Sequence, residues 1–85
     1  MHKIYFTKQS LKTLRKIPRK TTLLIREKLA QIAIDPYATH HNVTKLQNRP
    51  GFRLRVGDYR VLYEVKNDQL IILVLKIAPR GEVYR

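Results

Sequence analysis

The sequence predicts an α+β fold in which two N-terminal helices pack on one face of an antiparallel β-sheet of about four strands. Three observations carry this expectation. Residues 8–34 hold apolar side chains at helical spacing, interrupted by one proline. Residues 52–77 fall into β-forming runs separated by turn residues. The chain has 85 residues and 44% hydrophobic content, enough for one core and no more, so residues 1–85 are expected to form a single domain.

His2 to Phe6 is expected to be a short first strand, because Ile4, Tyr5 and Phe6 favour β structure and a helix start follows at once. Thr7 is suited to cap that helix. Leu11, Leu14 and Ile17 line one of its sides, and Lys8, Lys12, Arg15, Lys16 and Arg19 the other, which makes it amphipathic with a basic outer face. Pro18 ends or kinks it. A second helix is expected over Arg19 to Ile34, with Ile25, Leu29 and Ile32 at i, i+4 and i+7, stopped by Asp35-Pro36. So short a connection makes the two helices an antiparallel pair.

Tyr37 to Arg49 is polar and without period, so it is expected to be a loop, with Lys45-Leu46 opening an extended segment. A meander follows over Phe52 to Val56, Tyr59 to Val65 and Leu70 to Ile77. The last of these strands is apolar on both faces, as suits a central position.

The hairpin "FRLRVGDYR" fixes its own register. Gly57-Asp58 is a two-residue loop, so Val56 faces Tyr59, Arg55 faces Arg60, Leu54 faces Val61, Arg53 faces Leu62 and Phe52 faces Tyr63. Alternation then puts Arg53, Arg55 and Arg60 on one face, opposite Phe52, Leu54, Val56, Tyr59, Val61 and Tyr63. Like charges directly opposed in a sheet are unfavourable. Arginines of this kind also solvate outer faces, but three converging with one acid nearby point to an anion, and guanidinium forks match phosphate. The meander brings the tail "PRGEVYR" beside this patch, within reach of Arg55 and Arg60.

Lys and Arg outnumber Asp and Glu by 18 to 6, a net charge of +12, and residues 1–26 contain no acid. That imbalance favours a polyanionic partner, nucleic acid before an acidic membrane. The absence of cysteine excludes disulfides, thiolate metal sites and a cysteine nucleophile. The run "LIILVL" is too short to span a membrane, and "MHKIYF" lacks the apolar stretch of a secretory signal, so a cytoplasmic location is expected. No glycine-rich phosphate loop and no metal-ligand spacing occurs, and no cofactor is expected.

"RLRVGDYRVLYEV", then a strand, then "RGEVYR", resembles the RelE/ParE toxin superfamily, and within it the RelE-type messenger-RNA interferases of type II toxin-antitoxin systems. The resemblance implies a RelE-like fold and a metal-independent endoribonuclease that cuts messenger RNA in the ribosomal A site and so arrests translation. It implies catalytic roles for Arg53, Arg55, Arg60, Arg80 and Tyr84, and partners in a cognate antitoxin, messenger RNA and the ribosome. Lys12, Arg15, Lys16 and Lys45 are further candidates for contact with RNA or the ribosome. Where many relatives carry Gly-His this chain has Ala78-Pro79, so no histidine stands there to move a proton.

Metal-free cleavage drives the ribose 2′-OH onto the adjacent phosphate, which needs positioning, charge stabilisation, a base and an acid. Arginine serves the first two and is a poor base. Tyr84 among arginines is a candidate base or a platform on which a nucleobase stacks. His40-His41, Glu64 and Glu82 are weaker candidates: a loop pair, a cross-strand charge partner and an exposed acid. Two other readings stay open, a ParE-like toxin that binds DNA gyrase and an RNA-binding module without chemistry.

Overall fold

A computed structural model describes residues 1–82. The chain runs β1 (Lys3–Phe6), α1 (Lys8–Lys16), α2 (Arg19–Ile34), β2 (Val43–Lys45), β3 (Phe52–Val56), β4 (Tyr59–Lys66) and β5 (Ile71–Pro79). The strands form one sheet in the order β1-β5-β4-β3-β2. Two helices on a helix-backed sheet is the architecture expected, and it differs in two details. The sheet has a fifth strand, β2, in the segment expected to be a loop, and β1 lies parallel to β5, which makes the sheet mixed. A parallel pair needs a crossover connection, and the two helices with β2, β3 and β4 supply it between β1 and β5.

Thr7 caps α1 as its position suggests. Its Oγ1 accepts from the Ser10 amide at 3.3 Å and donates to the Leu75 carbonyl at 2.8 Å. Ser10, wholly buried, donates from Oγ to the Thr7 or the Val74 carbonyl, at 2.9 and 3.2 Å. α1 lies against β5 and β1, and α2 against β1 and β3. The Thr22 hydroxyl donates to the Leu14 carbonyl at 3.0 Å and ties the start of α2 to the end of α1.

The core lies between helices and sheet. Leu14, Ile25, Leu29 and Ile32 from the helices meet Leu54, Val56, Val61, Tyr63, Ile72, Val74 and Ile77 from the sheet, and Phe52 stacks on Tyr63 with ring centroids 5.3 Å apart. The Tyr63 hydroxyl is buried without a hydrogen-bond partner among the described residues, and burial pushes its pKa up to about 12.

One irregularity governs the other face. Leu62 pairs with Lys76, but Tyr63 pairs with Val74, so Leu75 has no partner on β4. This bulge resets the alternation of β5. Ile72, Val74 and Ile77 all point into the core, while Leu75 and Ala78 join Leu46 and Leu62 in a small apolar cluster on the opposite face. β5 is therefore central and apolar on both sides, as expected.

Candidate functional site

The β3–β4 register is the one the turn dictates: Arg55 opposite Arg60, Arg53 opposite Leu62, Leu54 opposite Val61. Gly57 turns the chain at φ +57°, a backbone angle that glycine adopts without steric penalty. On the next strand Ala78 pairs with Arg60 and Pro79 with Tyr59, and the Arg80 amide donates to the Asp58 carbonyl at 2.7 Å. The start of the tail is thereby pinned to the tip of the hairpin.

The result is a cavity of about 400 Å³ on the face away from the helices, lined by Asn42, Thr44, Arg53, Arg55, Arg60, Arg80 and Gly81. The four arginines arrive by three routes: two from β3, one from β4 across the turn, and one from just past the end of β5. Arg55 Nη2 donates to Asn42 Oδ1 at 2.7 Å, and Arg60 Nη1 donates to the Gly57 and Tyr59 carbonyls at 3.1 Å. Partial burial, then the charges of Arg55, Arg80 and Arg53, hold the Arg60 guanidinium below its usual pKa, with Asp58 pulling the other way. A cavity walled by mutually repelling cations gains from an anion, and forked donors favour phosphate geometry.

Of the residues singled out by sequence, Arg53, Arg55, Arg60 and Arg80 come together here. Tyr84 lies outside the described residues. Lys45 borders a second cavity that adjoins the first. Lys12, Arg15 and Lys16 are exposed on α1, which covers the opposite face of the sheet, so they belong to a separate surface. His40 Nε2 lies 2.6 Å from the Asp35 carbonyl, and His40 and His41 border a small cavity apart from the arginines. Glu64, expected as a cross-strand charge partner, instead pairs with Lys66 on its own strand at 2.8 Å among the described residues. No group of three His, Asp or Glu side chains among the described residues could hold a metal ion.

Asn42, Thr44 and Lys76 escaped the sequence reading. Asn42, at φ +65°, accepts from the Arg55 backbone amide through its carbonyl at 2.9 Å and from the Arg55 guanidinium through its side chain. Its signal was an asparagine, tolerant of left-handed backbone, just before a β-branched pair. Lys76 stands opposite Leu62 in the row that continues from Thr44 through Arg53. It is the one charge in an otherwise apolar strand, which marks it as facing away from the core.

These features define a small basic protein with a helix-backed sheet and an arginine-walled cavity on its open face. The chain belongs to the ParE toxin family of type II toxin-antitoxin systems, whose family model matches residues 4–84. Solved structures agree on the RelE-like fold. RelE of the archaeal RelE-RelB complex from Pyrococcus horikoshii is 29% identical, with a TM-score of 0.80, and the match covers 96% of this chain and 98% of that one. The E. coli RelBE complex matches at 20% identity and TM-score 0.81, over 96% of this chain and 100% of that one. Isolated E. coli RelE matches at 24% and 0.80, over 99% and 92%. At these last two identities the likeness is one of fold. No curated protein matches the sequence. The resemblance to the RelE/ParE superfamily is borne out.

Proposed function

We propose that the protein is the toxin of a type II pair and a metal-independent endoribonuclease that cuts messenger RNA in the ribosomal A site. The observation that carries this reading is the convergence of Arg53, Arg55, Arg60 and Arg80 on one cavity. The scissile phosphate sits among these guanidinium groups. The ribose 2′-oxygen attacks phosphorus, the bond to the 5′-oxygen breaks, that oxygen takes up a proton from solvent, and a 2′,3′-cyclic phosphate and a 5′-OH result. Negative charge grows on the non-bridging oxygens as the fifth bond to phosphorus forms, and the arginines meet that charge where it develops. They need no reorganisation to do so, because the fold already holds them against their own repulsion.

The proton leaving the 2′-OH requires an acceptor, and arginine is not one. Tyr84 is assigned that role or the stacking of a nucleobase, with the ribosome supplying the in-line geometry of the RNA. Free RNA is then a poor substrate. Efficient cutting of naked RNA by the purified protein would overturn the ribosome-dependent part of the proposal.

A cytoplasmic location and a cognate antitoxin follow from the same reading. Several of the solved RelE proteins, from E. coli, Pyrococcus horikoshii and Methanococcus jannaschii, are seen with RelB antitoxins. A partner for a chain of net charge +12 needs an acidic segment. Charge reversal at Lys12, Arg15 and Lys16 tests whether α1 carries that contact or one to the ribosome, and unchanged affinity for both removes the helix from either role.

A gyrase-binding reading is favoured by one finding, the match to a family described by its ParE members. Mapping messenger-RNA 5′ ends after induction, beside an Arg60→Ala control and with initiation blocked, separates the two. Cuts within reading frames that vanish under either control support the nuclease. Growth arrest with no new ends, retained by Arg60→Ala, supports binding to gyrase.

A further inference from the structure

Beside the arginine cavity lies a second one of about 330 Å³, lined among the described residues by Thr44, Lys45, Leu46, Gln47 and Arg53. Thr44 and Arg53, paired across β2 and β3, border both cavities, so the two adjoin along these strands. Their chemistry differs. The first is walled by four guanidinium groups, whereas the second shares one of them and the Thr44 hydroxyl and adds Lys45, the Gln47 carboxamide and an aliphatic side chain. Leu46 is only 8% exposed and packs with Leu62 and Ala78, so it gives the second cavity a fixed apolar floor.

We propose that this second cavity is a nucleobase subsite, taking the base of a nucleotide next to the phosphate that the arginines hold. The inference rests on the arginine groove binding RNA and adds to it the place where sequence is read. A second phosphate would find a single shared arginine and one lysine there, and alternation puts the Lys45 side chain in phase with Val43, which packs against the helix-side core. A base fits better. Its face can lie on the Leu46 floor or the flat Arg53 guanidinium, and its edge can meet the Gln47 carboxamide, which offers donor and acceptor together.

The loop that carries Gln47 is shaped for the purpose. The Leu46 amide donates to the Gly51 carbonyl at 3.0 Å, closing the segment between β2 and β3. Asn48 sits at φ +62° and Gly51 at φ +111°. A Cβ on Gly51 would stand 2.8 Å from the Tyr63 carbonyl, so only glycine lets the loop fold down against β4. Gln47 is thereby held at the mouth of the cavity by backbone whose alternatives are few.

The test uses a labelled six-nucleotide 2′-O-methyl RNA, which cannot be cleaved, with an abasic residue placed at each position in turn. Affinities are measured by fluorescence anisotropy for the wild type, Gln47→Ala and Arg55→Ala, each first shown folded by circular dichroism. In the wild type, loss of the base at one position should weaken binding about tenfold. In Gln47→Ala the same loss should matter less than about twofold, while Arg55→Ala weakens every oligonucleotide evenly. An equal base penalty in wild type and Gln47→Ala, or none at any position, overturns the subsite while leaving the phosphate site intact. Failure of every oligonucleotide to bind at low salt overturns the RNA-binding reading and the subsite with it.

Discussion

Replacing Arg60 by glutamine should make the protein more stable and less active, and the size of the gain can be worked out. Arg60 directly opposes Arg55, with Arg80 and Arg53 bordering the same cavity, and its guanidinium is held below its usual pKa partly by these neighbours. Opposed like charges in a sheet cost up to about 1 kcal/mol. Against this, Arg60 donates to the Gly57 and Tyr59 carbonyls near solvent, a contribution of a few tenths that glutamine's amide can partly replace. The net expectation is a gain of about 0.5 kcal/mol at low salt. For a domain of this size that is a rise of about 2–4 °C in Tm. Because the gain is electrostatic, it should shrink to under about 1 °C in 1 M NaCl, where the screening length is only about 3 Å. Thermal denaturation of both proteins at low and high salt measures it. A Tm that falls on substitution, by the same amount at both salt concentrations, would refute the claim that the fold holds these charges together at a cost.

Three further outcomes are expected. Tyr63→Phe should stabilise by about 1 kcal/mol, since it removes a buried hydroxyl with no partner among the described residues. The unfolded phenol ionises near pH 10 and the folded one near 12, so wild-type stability should fall relative to Tyr63→Phe as pH rises from 10 towards 12, as equilibrium denaturation across that range would show. Thr7→Val should cost about 2 kcal/mol by denaturant melt, because it strips the cap from α1 and leaves the Leu75 carbonyl without its donor. Asn42→Ala should lower RNA affinity several-fold with a Tm change under about 4 °C, because Asn42 aims the Arg55 fork from an exposed site; rescue by Asn42→Asp, which keeps the acceptor, would confirm a positioning role in the same binding titration.

What could be read from the sequence was whatever a local rule fixes. A two-residue turn and a period of two determine the β3–β4 pairing, so the opposition of Arg55 and Arg60 was visible before any coordinates. The bounds of α2 followed from Pro18 and Asp35-Pro36. β2 could not be read, since Val43–Lys45 has no apolar period and owes its place to bonds made elsewhere, from Asn42 to Arg55 and from Gly51 to Leu46. The same loss hid Asn42, Thr44 and the second cavity. The pairing of β1 with β5 depends on how the chain passes over the sheet, which no short window of sequence records. Lys76 was missed because strict alternation through Ile72 and Val74 places it inside the core; only the unpaired Leu75 brings it out.

That one supernumerary residue makes β5 a counting device. Upstream of Leu75 the core-facing positions are even-numbered, at Ile72 and Val74; downstream the core takes the odd one, Ile77. Were Leu75 paired in an unbroken ladder, parity would send Lys76 and Ala78 inward and Ile77 outward. Every side chain between Leu75 and the hairpin tip would be inverted without a single change of residue type. The arrival of Arg80 beside Asp58 is therefore a matter of arithmetic as well as of charge. Deleting Leu75 itself should close the bulge and keep the native parity, whereas inserting one residue between Lys76 and Ile77 should break it.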